Sequence, residues 1–352
     1  MYDFKFLIYF LKLFSPGLKS CFNINLFKRS KSLFVSIVNE KYIPDHEILF
    51  AGFPCQAFSI AGERRGFKDA RGTVIWDIIE LLKKIPKNKD GNGPDVIFLE
   101  NVKNFKTHNK SDTYNRIEKK LYEMKYSVYT DILNTAQYTT IPQNRERTFM
   151  ICFQGEEEWE KIKLHENNES DVNIEKAKKD CPLTYNFYKN FPKKVSSSRL
   201  KNIYDLIQDD VDDRYWYDSS SKYVKMLNQI YNKMKSDKAG SEETLYQIRR
   251  VYPRANKSRL CPTLTANMGT GGHNVPMIPI KKGKGIRWRK LTPLECFKFQ
   301  GYDENIELPD NVANGQLYKQ AGNAVTVGDA TFQRGHAGYN TSNSNESFQN
   351  QI

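Results

Sequence analysis

The stretch Leu49-Phe50-Ala51-Gly52-Phe53-Pro54-Cys55-Gln56-Ala57-Phe58-Ser59 decides the fold class. The apolar run Ile48 to Phe50 reads as a buried strand, and the glycine and proline that follow stop it abruptly. In open α/β sheets, ligands bind just beyond the carboxyl ends of the strands. Cys55 stands at such an end, where a thiol can act as a nucleophile. A lone cysteine is otherwise a small buried apolar residue, so its neighbours must decide between the two readings.

Beyond it, Ala61 to Thr73 is a charged, glycine-containing loop. Val74, Ile78, Leu81, Leu82 and Ile85 have helical spacing and predict a helix over 73–85. Pro94 to Leu99 reads as a second buried strand, ending at Glu100-Asn101-Val102. A further amphipathic helix follows over Asp112 to Met124, then strands over Val128 to Leu133 and Thr148 to Phe153. Strands alternating with helices predict an α/β fold with a doubly wound, mostly parallel sheet. The composition turns polar and charged after residue 155 without a clean period, which places a boundary between about 155 and 185 and a second, smaller domain beyond it.

The chain has 352 residues, of which 39% are hydrophobic and 13% aromatic, so it can bury a sizeable core. Its formal net charge of +13 favours an anionic partner, nucleic acid before membrane. The excess is concentrated. Lys222 to Arg259 carries ten Lys/Arg against three Asp/Glu, and Lys281 to Lys290 adds six basic residues and no acid. Between them lies the Thr/Asn/Gly-rich loop from Cys261 to Gly272. Asp209-Asp210 and Asp212-Asp213 read as a solvated acidic face. The six cysteines form no CxxC pair and lack the density of a disulfide scaffold, so no metal site is expected and a reducing cytoplasm fits. No apolar run approaches the roughly 18 residues that span a bilayer. The longest, Phe4 to Phe14, contains Lys5 and Lys12.

Pro54-Cys55-Gln56-x-Phe-Ser after Gly-Phe resembles the catalytic signature of the cytosine-5 DNA methyltransferases. Leu99-Glu100-Asn101-Val102 is similar to that family's Glu-Asn-Val motif, and Gln143-Asn144-Arg145-Glu146-Arg147 to its Gln-x-Arg-x-Arg motif. Thr263-Leu264 matches the pair at the heart of the variable recognition region. Arg289 to Cys296 with Gln300-Gly301-Tyr302, and Tyr318 to Val325, resemble the ninth and tenth motifs. The resemblance, which covers residues 38–327, points to the bacterial restriction-modification branch. It implies that Cys55 adds to cytosine C6, Glu100 acts at N3, and Arg147 binds O2 with support from Arg145. It further implies that a flipped-out base and its duplex are contacted by Gln56, Ser59, Asn101, Arg250, Thr263, Leu264 and Thr265. Pro54, Asn323, Ala324 and Val325 would touch the methyl donor, S-adenosylmethionine.

The implied partners are double-stranded DNA and an endonuclease that acts on the same site without necessarily binding; no membrane is involved, and a monomer is expected. The implied domains are catalytic over 37–155, completed by 300–330, and target-recognising over 185–290. An atypical N-terminus, 1–36, and a disordered tail, 338–352, flank them. Residues 1–36 contain a single glycine, Gly17, and lack the family's Asp-Leu-Phe-x-Gly-x-Gly-Gly turn and its ribose-binding acid. A truncated or rearranged gene with impaired methylation is the expectation. The alternatives are a DNA-binding remnant or a tRNA cytosine methyltransferase. The long basic insert between Phe153 and Arg287 favours DNA.

Overall fold

The strand β2 (Ile48–Gly52) forms where the apolar stretch predicts it. Ile48, Leu49 and Ala51 are buried, as in a strand covered on both faces. β3 (Val96–Val102) lies parallel beside it, with Leu49 opposite Ile97 and Gly52 opposite Glu100. Parallel neighbours need a crossover, and the helix α1 (Val74–Lys84) falls between them in the chain. Its residues Ile75, Ile78, Ile79 and Leu82 are buried, the stripe that packs a helix onto a sheet. Asp77 in its first turn and Lys83 and Lys84 in its last complement the helix dipole. The next long helix, α2 (Asp112–Glu123), buries Tyr114, Ile117 and Leu121 in the same core. The computed structural model describes residues 8–11, 48–53, 74–84, 93–162, 170–237, 244–249, 252–256, 258–269, 274–283 and 285–327. Pro54, Cys55, Gln56, Ser59 and Arg250 lie outside the described residues, as do residues 338–352.

The α/β class expected from the sequence is present, with a mixed sheet. Its order is β1-β2-β3-β5-β4, where β1 is Ile8–Leu11, β4 Tyr126–Asn134 and β5 Glu146–Gln154. β2 and β3 are parallel, whereas β1 is antiparallel to β2 and β5 antiparallel to β3. The connection from β4 to β5 is short, Thr135 to Arg145, and the Thr135 N–H closes it on the Arg145 carbonyl at 3.0 Å. A parallel return would need a longer crossover.

By Cα proximity the described residues divide into two compact units. The first holds those up to 132 and 147–191; the second holds 133–146 and 192–327. Residues 300–327, expected to complete the catalytic domain, belong to the second unit. There β6 (Tyr246–Arg249), β7 (Tyr252–Ala255), β8 (Met277–Lys282) and β9 (Gly285–Lys290) form an antiparallel sheet in the order β7-β6-β8-β9. The helix α3 (Lys222–Ser236) packs Val224, Leu227 and Tyr231 with Tyr246, Met277 and Trp288. A second cluster joins Leu264, Met268, Ile278, Leu291, Cys296 and Tyr318.

The helix α4 (Pro293–Lys298) starts with a capping box between Thr292 and Glu295. Glu295 also takes both Arg289 terminal nitrogens, at 2.9 and 2.7 Å, in a fully buried pair. The last described helix, α5 (Asn314–Asn323), crosses the short helix Ala266–Gly269 through glycines. A Cβ on Gly322 would sit 2.1 Å from the Thr265 carbonyl carbon, and one on Gly269 2.3 Å from the Gly315 oxygen. No described helix is long and apolar enough to cross a membrane.

Candidate active site

In the first unit the site is built at the carboxyl end of β3. Glu100 lies opposite Phe149 and Val102 opposite Arg147, so Glu100 and Arg147 are diagonal neighbours on one face of an antiparallel pair. Their side chains meet in an ion pair, Arg147 Nε to Glu100 Oε1 at 2.9 Å. Both are partly open to solvent, at 11% for Arg147 and 19% for Glu100. That exposure leaves the pair accessible to a ligand while the strands fix its position. Gly52 faces this carboxylate, and a Cβ there would lie 3.5 Å from Glu100 Oε2.

Asn101 points the other way and is buried. Its side-chain amide donates to the Phe53 carbonyl at 3.1 Å, and its side-chain oxygen accepts from the Val102 N–H at 2.9 Å. Asn101 therefore fastens the end of β3 to the residue immediately before Pro54-Cys55. The T-shaped contact of Phe53 with Phe105, at 5.2 Å between ring centroids, holds the same point from the apolar side.

In the second unit Arg145 is buried, at 2% exposure, and its guanidinium donates to carbonyl oxygens. Nη1 donates to Leu264 at 2.8 Å; Nη2 donates to Gly322 at 3.2 Å and Ala324 at 2.6 Å. Gln143, two residues earlier, accepts from the Leu264 N–H at 3.4 Å and donates to the Phe299 carbonyl at 2.5 Å. Both polar groups of Leu264 are thus held by side chains spaced two apart in an extended segment, which places them on one side of it. Gln300 and Thr326 extend the network: Gln300 donates to Ala321 at 2.7 Å and accepts from Thr326 at 3.0 Å. The Thr263 hydroxyl donates to the Asn144 carbonyl at 2.6 Å, whereas Thr265 is exposed. Asn323 is exposed at the end of α5, and Ala324 and Val325 are half-buried beyond it.

The structure thus brings Glu100 to Arg147, and separately Arg145 to Leu264 and Ala324. Sequence reasoning passed over Gln143, Gln300 and Thr326 as site-building residues. The period-two spacing of Gln143, Arg145 and Arg147 was the available signal. The four described cysteines, Cys152, Cys181, Cys261 and Cys296, are buried. Burial pushes each thiol up, Cys181 to about 11 and the others further, so none is an activated nucleophile. Among the described residues no cluster of His, Cys, Asp or Glu could hold a metal ion.

The architecture is that of α/β methyltransferases. It is shared with a methyltransferase of Entamoeba histolytica, EhMeth (TM-score 0.55, 17% identity, 89% of this chain and 84% of that one). The S. pombe Dnmt2 methyltransferase is similarly related (TM-score 0.54, 17% identity, 88% of this chain and 85% of that one). The sequence profile of the family described as C-5 cytosine-specific DNA methylase matches residues 5–332. Residues 5–36, which lack the family's glycine-rich opening, fall inside the matched span. The type II methyltransferase M.Bsp6I of Bacillus sp. (strain RFL6) is 41% identical over 289 residues, 81% of this chain and 76% of that protein. M.HhaI of Haemophilus parahaemolyticus is 32% identical over 299 residues, 83% of this chain and 76% of that protein. The chain belongs to the C-5 cytosine-specific DNA methylases, of the restriction-modification type, with DNA as its substrate and a methyl donor as co-substrate.

Proposed function

We propose that Cys55 is the nucleophile that adds to C6 of a flipped-out cytosine, and that Glu100 and Arg147 recognise and polarise the ring. The observation that carries this reading is the Glu100–Arg147 pair at 2.9 Å, partly open to solvent. Cytosine presents an amino donor, the N3 acceptor and the O2 acceptor side by side along one edge. A carboxyl group can accept from the amino group and donate a proton to N3, and a neighbouring guanidinium can donate to O2. The two side chains supply that order from adjacent strands. Negative charge pushed into the ring by the thiolate would accumulate at N3 and O2, where fixed donors stabilise it. C5 then becomes the nucleophilic carbon of an enamine. Asn101, through Phe53, is a positioning residue for the segment that carries Cys55.

Target readout is assigned to Thr263, Leu264, Thr265 and Arg250 within residues 185–290, and catalysis to residues 37–155, completed by 300–330. Gln56 and Ser59 are assigned to contacts with the extruded nucleotide. The chain acts as a monomer in the cytoplasm, beside an endonuclease that cuts the same site.

S-adenosylmethionine is the methyl donor we infer, with Pro54, Asn323, Ala324 and Val325 beside it. The described residues do not by themselves fit that group. A donor crevice in such sheets opens at the carboxyl ends of adjacent parallel strands. The parallel pairing of β2 with β3 ends at Gly52 opposite Glu100, which is assigned to cytosine, and on the other side β1 runs antiparallel to β2, with Leu11 beside Ile48. The Ala324 carbonyl is already taken by Arg145.

The test is covalent capture of duplex DNA containing 5-azacytosine, which accepts a thiolate at C6. We expect an adduct stable on denaturing gels with the wild-type chain and none with Cys55→Ser, because a hydroxyl is a far weaker nucleophile near neutral pH. Equal adduct yield from the serine variant overturns the assignment.

A further inference from the structure

Outside the catalytic and recognition residues, the second unit carries four cations gathered on two consecutive aromatic rings. Residues 216 and 217 run along the outer side of β9: Trp216 bridges to Arg289 in antiparallel fashion, and the Tyr217 N–H donates to the Trp288 carbonyl at 2.9 Å. This sets the Trp216 ring against the β8–β9 hairpin. Ile280 lies opposite Arg287 and Lys282 opposite Gly285, so Arg287 and Lys282 share a face. The Arg287 guanidinium lies 4.4 Å from the Trp216 ring centroid and the Lys282 ammonium 5.9 Å from it. On the preceding ring, Arg214 lies 5.3 Å and Lys290 5.7 Å from the Tyr215 centroid.

A cation held on a ring face keeps its charge, because the ring supplies a quadrupole and no counter-ion. Arg214 has an acidic partner, Asp212 at 3.7 Å. Among the described residues no carboxylate comes within ion-pairing distance of Lys282, Arg287 or Lys290. Burial holds the Lys290 ammonium below its usual range, and the positive charge of Arg214 adds to that. Like charges are therefore concentrated where neutralisation would relieve repulsion. Arg287 and Lys282 are exposed. Arg289, next on the same face, shows the contrast: it is buried and fully paired with Glu295.

We propose that Arg287 and Lys282, seated on Trp216 and backed by Lys290 and Arg214 on Tyr215, form a backbone-phosphate contact site for duplex DNA. This deepens, and rests on, the DNA-methyltransferase reading. The ring face is already covered by Arg287, so the site presents charge rather than a platform for stacking a base. It therefore positions DNA without reading its sequence.

The test is equilibrium binding of the full chain to a random duplex pool across a salt series, with the selected sequences read out. Neutralising two phosphate contacts in K282A/R287A should weaken binding to every duplex alike, by about tenfold or more, and reduce the slope of log K against log salt by about 1.8. The selected sequences should not change. R287K keeps the charge and loses the planar stack, so it should retain most of the salt slope. Thermal melts of both variants should match wild type, since both side chains are exposed. A wild-type salt slope retained in K282A/R287A, or a changed sequence preference, overturns this site alone. Absence of salt-dependent DNA binding by the wild-type chain overturns the parent reading, and the site with it.

Discussion

Arg145 and Arg147 stand two residues apart and serve opposite purposes. Arg147 lies on a strand, largely covered but still reached by solvent, and pairs with the Glu100 carboxylate. Arg145 is buried on three main-chain carbonyls drawn from two distant segments, Leu264 and Gly322 to Ala324. An ion pair that water still reaches contributes modestly to stability, because the solvent competes for both charges. A buried guanidinium whose donors are spent on carbonyls is costly to remove, since each carbonyl loses its partner at once. The comparison teaches that adjacent arginines in one motif divide labour: one is spent on the fold of its unit, and the other is left accessible for chemistry.

The largest effect expected is therefore structural. Arg145→Ala leaves the Leu264, Gly322 and Ala324 carbonyls without their donor and should cost about 3–5 kcal/mol. Urea titration should show a fall in the midpoint. Unchanged stability would mean that the three bonds are made equally well by water, and the division of labour between the two arginines would not stand.

Glu100→Gln tests the other arm. The shape is kept and the ion pair is lost, so stability should fall by about 1–2 kcal/mol, well below the cost of Arg145→Ala. An amide cannot donate a proton to N3 as a carboxylic acid does, and capture of 5-azacytosine DNA should slow by roughly 10² to 10³. A large loss of stability with normal capture would reverse the roles argued for the two arginines.

How much of this was legible in the sequence depends on whether the signal was local. β2, β3, α1 and α2 appeared at nearly the expected positions because their burial patterns repeat along a short stretch of chain. The place of β5 between β3 and β4, and the antiparallel direction of β1, were hidden, since strand pairing joins residues far apart in the chain. Glu100 and Arg147 were legible as motif residues, but their direct contact depends on a register that no local pattern encodes. Asn101 was expected to meet substrate; its bond to the Phe53 carbonyl is a tertiary fact. The cation array was obscured by its own neighbours. Asp212 and Asp213 make the stretch before Trp216 look acidic, and the cations that cover the ring arrive from a hairpin some 70 residues later.

Thr263 makes the smallest contribution to the loop that Arg145 holds. The recognition loop is held at Leu264 by Gln143 and Arg145, and from the other side α5 approaches the Thr265 backbone through Gly322. Against that, the Thr263 hydroxyl adds a single bond, to the Asn144 carbonyl at 2.6 Å. Thr263→Ala removes one neutral hydrogen bond at a half-buried position, where water can replace it, so the stability cost should be about 1 kcal/mol or less. If the loop reads base edges, a small displacement at Thr263 misaligns Thr265 with its target while leaving the phosphate contacts untouched. Binding to a random duplex pool should then weaken only slightly, while the spread between preferred and average sequences narrows severalfold. A uniform loss of affinity with the preference intact would place Thr263 among the backbone contacts, and base recognition would lie elsewhere in residues 185–290.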